Sequence, residues 1–388
     1  MMLRSFLPVG QGAFYLERFE TKGERINVVY DCGSLTDVKI VEKEIRSNFS
    51  KGEEIKIVFI SHVDQDHING LEYLLTYCNV KNIVFPYTKR KDRITLTVDY
   101  FCNKINPSYD DFTCEFISNP SNALRRYDSD ARLWGISDEY DSNESNDRDH
   151  YNEDEEFKVI RSGENLFEYL IDNRIISKIK WEYVPFNFRE DNRKQQFIDE
   201  LDNNLRLIGK SIAQIGIDNI LKQWADSDIQ KAIIDAYKNV KGSLNTNSMV
   251  LFSGIRDNNI HQWNINLYHR FCYCRHKCID FYEYYLRKNG CLYTGDYEAK
   301  GKCKWLELKN AYSKYWDYIG CVQIPHHGSY RNYNKEFALL DSYFVISAGY
   351  NSKYHPSGSV LKDLLLKDKY PLIVTEQHNS EVILKVDI

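Results

Sequence analysis

The chain has 388 residues, a net charge of −5 and 43 % hydrophobic residues, enough apolar material for one large domain or two ordinary ones. The negative balance excludes a general electrostatic attraction to nucleic acid or to anionic membrane, and no stretch approaches the roughly 20 apolar residues that span a bilayer. Ten cysteines in a long chain whose opening residues, MMLRSFLPVGQGAFYL, lack a secretory leader read as reduced thiols, and a cytoplasmic protein is expected.

In chain order, residues 1–35 read as strand, turn, strand. The Val-Gly-Gln-Gly turn is followed by the apolar runs Ala13–Phe19 and Ile26–Tyr30. Val38–Phe49 has helical spacing, Ile55–Ile60 is a compact apolar strand, Asn69–Asn79 reads as a helix and Ile83–Pro86 as a strand. This opening argues for a layered α/β fold. After about residue 88 the character changes. Residues 138–156, DEYDSNESNDRDHYNEDEE, are acidic and nearly free of apolar side chains, as in a solvated or disordered loop. Between 195 and 240, Phe197, Leu201, Leu205 and Ile208, then Ile229, Ile233 and Tyr237, recur at helical spacing. A second set of strands follows at Met249–Ser253, Cys291–Thr294, Cys321–Ile324, Tyr343–Ala348 and Leu372–Thr375. The expected organisation is an α/β body interrupted between about 88 and 242 by a large, mainly helical insertion.

The most informative segment follows the Ile55–Ile60 strand directly: Ser61-His62-Val63-Asp64-Gln65-Asp66-His67-Ile68-Asn69-Gly70. Four potential ligands lie within six residues, at a strand end, on a loop entering a helix. Imidazole mixed with carboxylate suits borderline and hard divalent cations, and Asn69-Gly70 allows a tight turn into the helix.

This segment resembles the H-x-H-x-D-H signature of the metallo-β-lactamase superfamily, with Asp64 where the middle histidine usually stands. The H-x-D-x-D-H form is similar to the hydrolase domain of ComEC-type DNA-uptake proteins and their stand-alone relatives. Further segments resemble the same branch in the same order: Gly10-Gln11-Gly12, Tyr30-Asp31-Cys32-Gly33, Leu244 to Leu251, Thr294-Gly295-Asp296, Pro325-His326-His327-Gly328-Ser329, and Ser347 to Asn351 followed by His355-Pro356. The likeness covers about 1–87 and 243–388 and leaves the middle third unmatched.

The resemblance implies a four-layer αββα sandwich with one or two divalent metals at one edge of the sheets. His62 and Asp64 would hold the first metal, Asp66 and His67 the second, and Asp296 would bridge the two. Asp31 would orient a ligand imidazole or the loop. Adjacent His326 and His327 cannot easily serve one ion, so one is the ligand and the other a transition-state donor; His326 is taken as the ligand. Asp66, His327 and His355 are the expected catalytic residues, and Lys353 is a weaker candidate. Relatives with the common pattern supply a third first-site histidine near Asn247-Ser248, where this chain has none. The first site is therefore oxygen-rich, which favours Mn²⁺ or Mg²⁺ over an all-imidazole zinc site, with Zn²⁺ also in play.

Metal-activated water attacking an ester is the expected chemistry. The ComEC-type likeness favours a phosphodiester in DNA, RNA or a nucleotide, hence a nuclease-type phosphodiesterase serving in cellular defence or DNA processing, with an ATPase-type partner docking on the insertion. The alternatives are a small-molecule ester, lactone or nucleotide hydrolase, a partner-dependent regulatory subunit, and a non-catalytic interaction module that has kept the fold. Lys89-Arg90-Lys91 with Arg93, and Arg270 to Lys277, are local basic clusters able to track a phosphate backbone or simply to face solvent. Cys272, Cys274, His276 and Cys278 alternate along one strand face and fit either packed cysteines or a structural zinc. The remaining cysteines sit in apolar contexts as small core residues.

Overall fold

In the computed structural model the residues described are 1–21, 24–88, 93–103, 111–127, 129–138, 149–152, 157–171, 180–188, 193–240, 248–256, 265–269 and 288–386. Alternating apolar side chains along the first strands send one set inward and one outward. On Met2–Phe6 and Gly12–Thr21, Met2, Phe6, Tyr15 and Phe19 face a second sheet, while Phe14 and Leu16 face a helical layer.

The first sheet has ten strands. Ile265–His269, Val382–Val386, Met2–Phe6, Gly12–Thr21 and Glu24–Ser34 form its antiparallel half. Ile57–Phe59, Asn82–Pro86, Arg132–Ile136 and Phe157–Ile160 then run parallel to Glu24–Ser34, and Asp149–Asn152 closes the edge antiparallel. The second sheet has six strands in the order Trp181–Phe186, Val250–Ile255, Gly290–Tyr293, Ile319–Gln323, Tyr343–Ser347 and Pro371–Val374. Its first three strands are antiparallel and its last three continue parallel to Gly290–Tyr293.

Three apolar clusters show the layering. One lies between the sheets and joins Phe6, Tyr15 and Phe59 to Tyr183, Leu251 and Val345. A second packs the outer face of the first sheet against helices such as Val38–Asn48, Leu71–Tyr77, Arg193–Leu207 and Ser227–Asn239. The third packs the second sheet against Lys302–Ala311 and Gly358–Leu365. The protein is thus an αββα sandwich. Helices Val38–Asn48 and Ser227–Asn239 begin where acidic caps satisfy the first free N–H groups: Asp37 accepts from Lys39 N, and Asp226 from Asp228 N and Ile229 N. Each then buries an i, i+4 stripe, Val41 with Ile45 and Ile229 with Ile233.

The segment from 88 to 242 supplies more than helices. Arg132–Ile136, Phe157–Ile160 and Asp149–Asn152 extend the first sheet, and Trp181–Phe186 forms the edge of the second. Asp149–Asn152 falls inside the acidic stretch expected to be a loop, where pairing with Phe157–Ile160 satisfies its backbone. The rest of that stretch, 139–148 and 153–156, lies outside the described residues, as do Lys89-Arg90-Lys91, Arg270 to Lys277 and the Cys272–Cys278 cluster. Arg93 is described and buried; its Nε donates to Thr88 O, so it does not face solvent as a phosphate contact. Cys32, Cys78, Cys114, Cys291 and Cys321 are buried and outside any disulfide, whereas Cys303 is exposed. Among the described residues no helix is long and apolar enough to cross a membrane.

Candidate metal centre at the strand ends

The parallel halves of the two sheets bring their carboxyl ends to one edge, the usual position for a ligand crevice in α/β sheets. Asp31 lies near the end of Glu24–Ser34, Ser61 and His62 follow Ile57–Phe59, Asp296 follows Gly290–Tyr293, and His326-His327 follow Ile319–Gln323. Tight backbone approach sets these positions. A Cβ at Gly33 would stand 2.6 Å from His67 N, so only glycine lets this strand press against the short helix Gln65–Ile68 that carries Asp66 and His67. Gly295 has φ +51°, and a Cβ there would collide with Ser248 Oγ, the atom that accepts from Asp296 N at 2.8 Å. Asp31, His326 and His327 adopt the left-handed conformation without being glycine, a cost that clusters at functional sites.

Each imidazole is aimed by its far nitrogen. His67 Nδ1 bonds Asp31 Oδ2 at 2.7 Å, and Asp31 is itself fixed by Ser61 N at 2.6 Å and Ser61 Oγ at 2.7 Å. A carboxylate only accepts, so Nδ1 carries the proton and Nε2 is the inward atom. His327 Nδ1 donates to Ser347 O at 2.9 Å, which leaves its Nε2 facing Asp66 Oδ2 at 3.0 Å. His62 Nδ1 lies 2.9 Å from Ser61 Oγ and 3.3 Å from Ser248 Oγ. Its Nε2 points to Asp64 Oδ2 at 3.3 Å and Asp296 Oδ2 at 3.7 Å. His67 Nε2 stands 3.3 Å from Asp296 Oδ1.

Two overlapping groups result, His62–His67–Asp296 and Asp66–His67–His327, in each of which the ligand atoms lie within 4.8 Å of one another. Of the expected ligands, His62, Asp66, His67 and Asp296 come together. His326, expected as a ligand beside Asp66 and His67, gives that place to His327. The left-handed turn at both residues swings the second imidazole inward, where Ser347 O holds it. His326 remains near the centre, its Nε2 3.6 Å from Asp296 Oδ2 and its Nδ1 3.0 Å from Asn332 Oδ1, with its side chain partly open to solvent. Asp64 belongs to neither group and sits at the solvent edge beside His62. His355 packs 5.5 Å from the His326 ring and 6.1 Å from the His327 ring. Lys353 is exposed on the same loop.

The residues fit divalent cations. His62 Nε2, His67 Nε2 and Asp296 Oδ1 are buried without a hydrogen-bond partner, an arrangement that costs stability unless something fills it. Electrostatics agree. Burial alone would lower the pKa of His67, but Asp31, Asp296 and Asp66 outweigh it and raise it well above the ordinary value. Burial would raise Asp296, yet His326, His67 and His62 pull it far down. Anionic carboxylates and imidazoles thus face one another across a space where a cation would replace protons. Burial, with His327 and His326 beside it, lowers His355 to about 4, so it is neutral near pH 7.

Ser61, Ser248, Gln323, Asn332 and Ser347 complete the site. Gln323 Oε1 accepts from Thr294 N and Gly295 N at 2.7 and 2.8 Å, holding the loop that ends in Asp296. Asn332 Nδ2 donates to Asp296 O at 2.7 Å. Ser61 adjoins the motif and was open to inference from position; the roles of Gln323 and Asn332 depend on contacts across the fold that no spacing announces.

Residues 8–96 match the family described as "Metallo-beta-lactamase superfamily". The match covers the strands and the motif that carry His62, Asp64, Asp66 and His67, and the αββα sandwich with a histidine–aspartate cluster at its edge agrees with it. No curated protein matches the chain in sequence. Among solved structures it aligns with unliganded yeast PDE1 at 10 % identity, over 99 % of each chain, with a TM-score of 0.45.

Proposed function

We propose that the protein is a metal-dependent phosphodiesterase acting on nucleic acid or a nucleotide. The observation that carries this reading is the pair of ligand groups sharing His67, with three buried polar atoms left unpartnered at their centre. Divalent cations bound there lower the pKa of water and offset anionic charge. His62, Asp66, His67, Asp296 and His327 would hold them, with Asp64 at the outer edge. Two further imidazoles, His326 and His355, stand beside the cluster on the solvent side. A diester phosphate carries anionic oxygens that need donors in the transition state, and these two side chains supply them. Neutral His355 offers one N–H and one lone pair, so it can donate a hydrogen bond or relay a proton to a leaving oxygen. The ComEC-type motifs support the same substrate class, and the motif-bearing 1–87 and 243–388 are read as one hydrolase body. The middle segment serves regulation or docking of a protein partner in this reading, and Mn²⁺, Mg²⁺ and Zn²⁺ are all cation candidates.

The test is incubation of purified protein with single-stranded DNA, duplex DNA, RNA and bis(p-nitrophenyl) phosphate, each with Mn²⁺, Mg²⁺ or Zn²⁺, beside an Asp66→Ala/His67→Ala control. Metal-dependent hydrolysis lost in the control is the expected result. A metal-binding protein that cleaves none of the four would sink the reading.

A further inference from the structure

Resting on the phosphodiesterase reading, the exposed tyrosines around the metal centre point to the form of the substrate. We infer that Tyr330, Tyr350 and Tyr354, with Lys300 and Lys353, form a rim that binds unpaired bases and the backbone of a single nucleic-acid strand as it crosses the site.

Large aromatic rings left in water on the loops that flank a site need a reason. Tyr330 is 51 % exposed, Tyr350 63 % and Tyr354 80 %, and all three sit on the two loops that carry the outer histidines. Tyr330 follows Ser329, whose N donates to His326 O at 2.8 Å. Tyr354 precedes His355, and Tyr350 heads the same loop, where its N donates to Glu376 Oε2 at 2.8 Å and so fixes the backbone beneath an open ring. The loop backbones are therefore tied down while the rings stand largely in solvent, the arrangement of a stacking platform.

Cations are interleaved with the rings. Lys300 Nζ lies 3.3 Å from the centroid of the Tyr330 ring, close enough for one pair to stack a base and neutralise its phosphate. Lys353 and Arg331 are exposed beside Tyr354 and Tyr330. Of the carboxylates near the rim, Glu298 is paired with Arg193 at 3.5 Å, while Glu376 Oε2 accepts from Tyr350 N. The chain as a whole is acidic, so this local pattern is not an echo of overall charge. Base–aromatic stacking beside a positive track is how strands are bound without sequence preference. A duplex keeps its base faces inside the stack and cannot use the rings. A mononucleotide has one base and cannot occupy three.

The experiment measures binding of labelled dT and rU strands of about 12 nucleotides, within the span of one strand-binding site, and of a duplex of equal length. Full-length protein is used, in chelator, so that turnover does not intervene. The strand is expected to bind more tightly than the duplex, and Tyr330→Ala and Tyr354→Ala each to weaken it about tenfold. Tyr330→Phe and Tyr354→Phe should restore binding, because the ring and not the hydroxyl is used. Tyr370→Ala serves as the control: this exposed residue precedes Pro371–Val374, at the end of that strand away from the site, and should bind as wild type does. The dT and rU arms name the polymer. Equal affinity for strand and duplex, or alanine variants that bind like wild type, overturns the inference. Failure of the phosphodiesterase reading appears separately, as wild-type protein that does not hydrolyse bis(p-nitrophenyl) phosphate with any metal.

Discussion

Two buried clusters of charge lie in this sandwich, and they are built in opposite ways. Between the sheets, Arg4 Nε meets Glu17 Oε1 at 2.7 Å. The two guanidinium Nη atoms donate to Asn289 O and Ser253 O, and Glu17 also accepts from Tyr183, Ser253 and Tyr293 hydroxyls at 2.6 to 2.9 Å. Trp181 Nε1 donates to Ser253 Oγ at 3.0 Å. None of these side-chain atoms is left without a partner. At the sheet edge, the histidine–aspartate cluster is equally buried but leaves three atoms open toward one another. Burial of charge therefore marks neither structure nor function by itself. Completeness of pairing separates them: the closed network ties five strands together, and the open one is shaped for something else.

The largest expected effect breaks the open cluster. His67 belongs to both ligand groups, so His67→Ala should abolish metal-dependent hydrolysis and the rise in melting temperature that added metal gives the wild type. Without metal, the variant should lose the stability that protonated His67 contributes, because the buried Asp31, Asp66 and Asp296 then lack their cationic partner. Calorimetry with and without chelator checks both. A variant that still gains melting temperature from added metal would show that His67 is not a ligand.

Breaking the closed network should do the reverse. Glu17→Ala leaves Arg4 and three hydroxyls buried without their acceptor, and should cost about 3–5 kcal/mol while leaving metal affinity of the folded fraction unchanged. Denaturant titration and metal titration of the same variant separate the two.

How visible the two clusters are in the sequence follows from the same contrast. The metal motif is local: His62 to His67 converge because a strand end and a helix start lie six residues apart, and the strands around them announce themselves by apolar runs. Asp296 and the histidine pair were legible through motifs at other strand ends. The choice between His326 and His327 was not, because it turns on two left-handed residues and on a carbonyl twenty positions away. Arg4 and Glu17 were invisible. Alternation gives their positions in strands, but a charged residue in a strand is normally read as facing water, and only pairing across two sheets makes it internal. The strands Arg132–Ile136 and Trp181–Phe186 were missed for a related reason: short apolar runs inside a polar, helical segment give no sign that they join distant sheets.

A smaller effect is expected one step back from the open cluster. Asp31 fixes the tautomer of His67 without facing the cation space. Asp31→Asn should keep the fold and weaken metal binding about 10- to 100-fold, measured by competition with a chromophoric chelator. The acid side gives a parallel check. His67 is held above the ordinary value of 6.5 by its carboxylates, so in the metal-free protein its proton stabilises the fold below that value and this contribution is lost as pH rises through the raised pKa. Metal must displace the same proton. Affinity should therefore climb with pH through and beyond 6.5, while the stability of the metal-free protein falls over the same range. Affinity that is flat with pH would mean that His67 is already neutral.

The smallest effect belongs to Asp64, the one member of the motif that the geometry leaves outside both groups. Its carboxylate lies 3.3 Å from His62 Nε2 with the side chain 37 % exposed, so water can take its place when it is removed. An exposed charge of this kind contributes about 0.2–1 kcal/mol, which corresponds to no more than about a fivefold change in metal affinity. Asp64→Ala should fall within that range, and His62→Ala far outside it. If the two variants lose affinity equally, metal binding draws Asp64 inward, and the centre closes around its cation by moving the loop between Ser61 and Gln65.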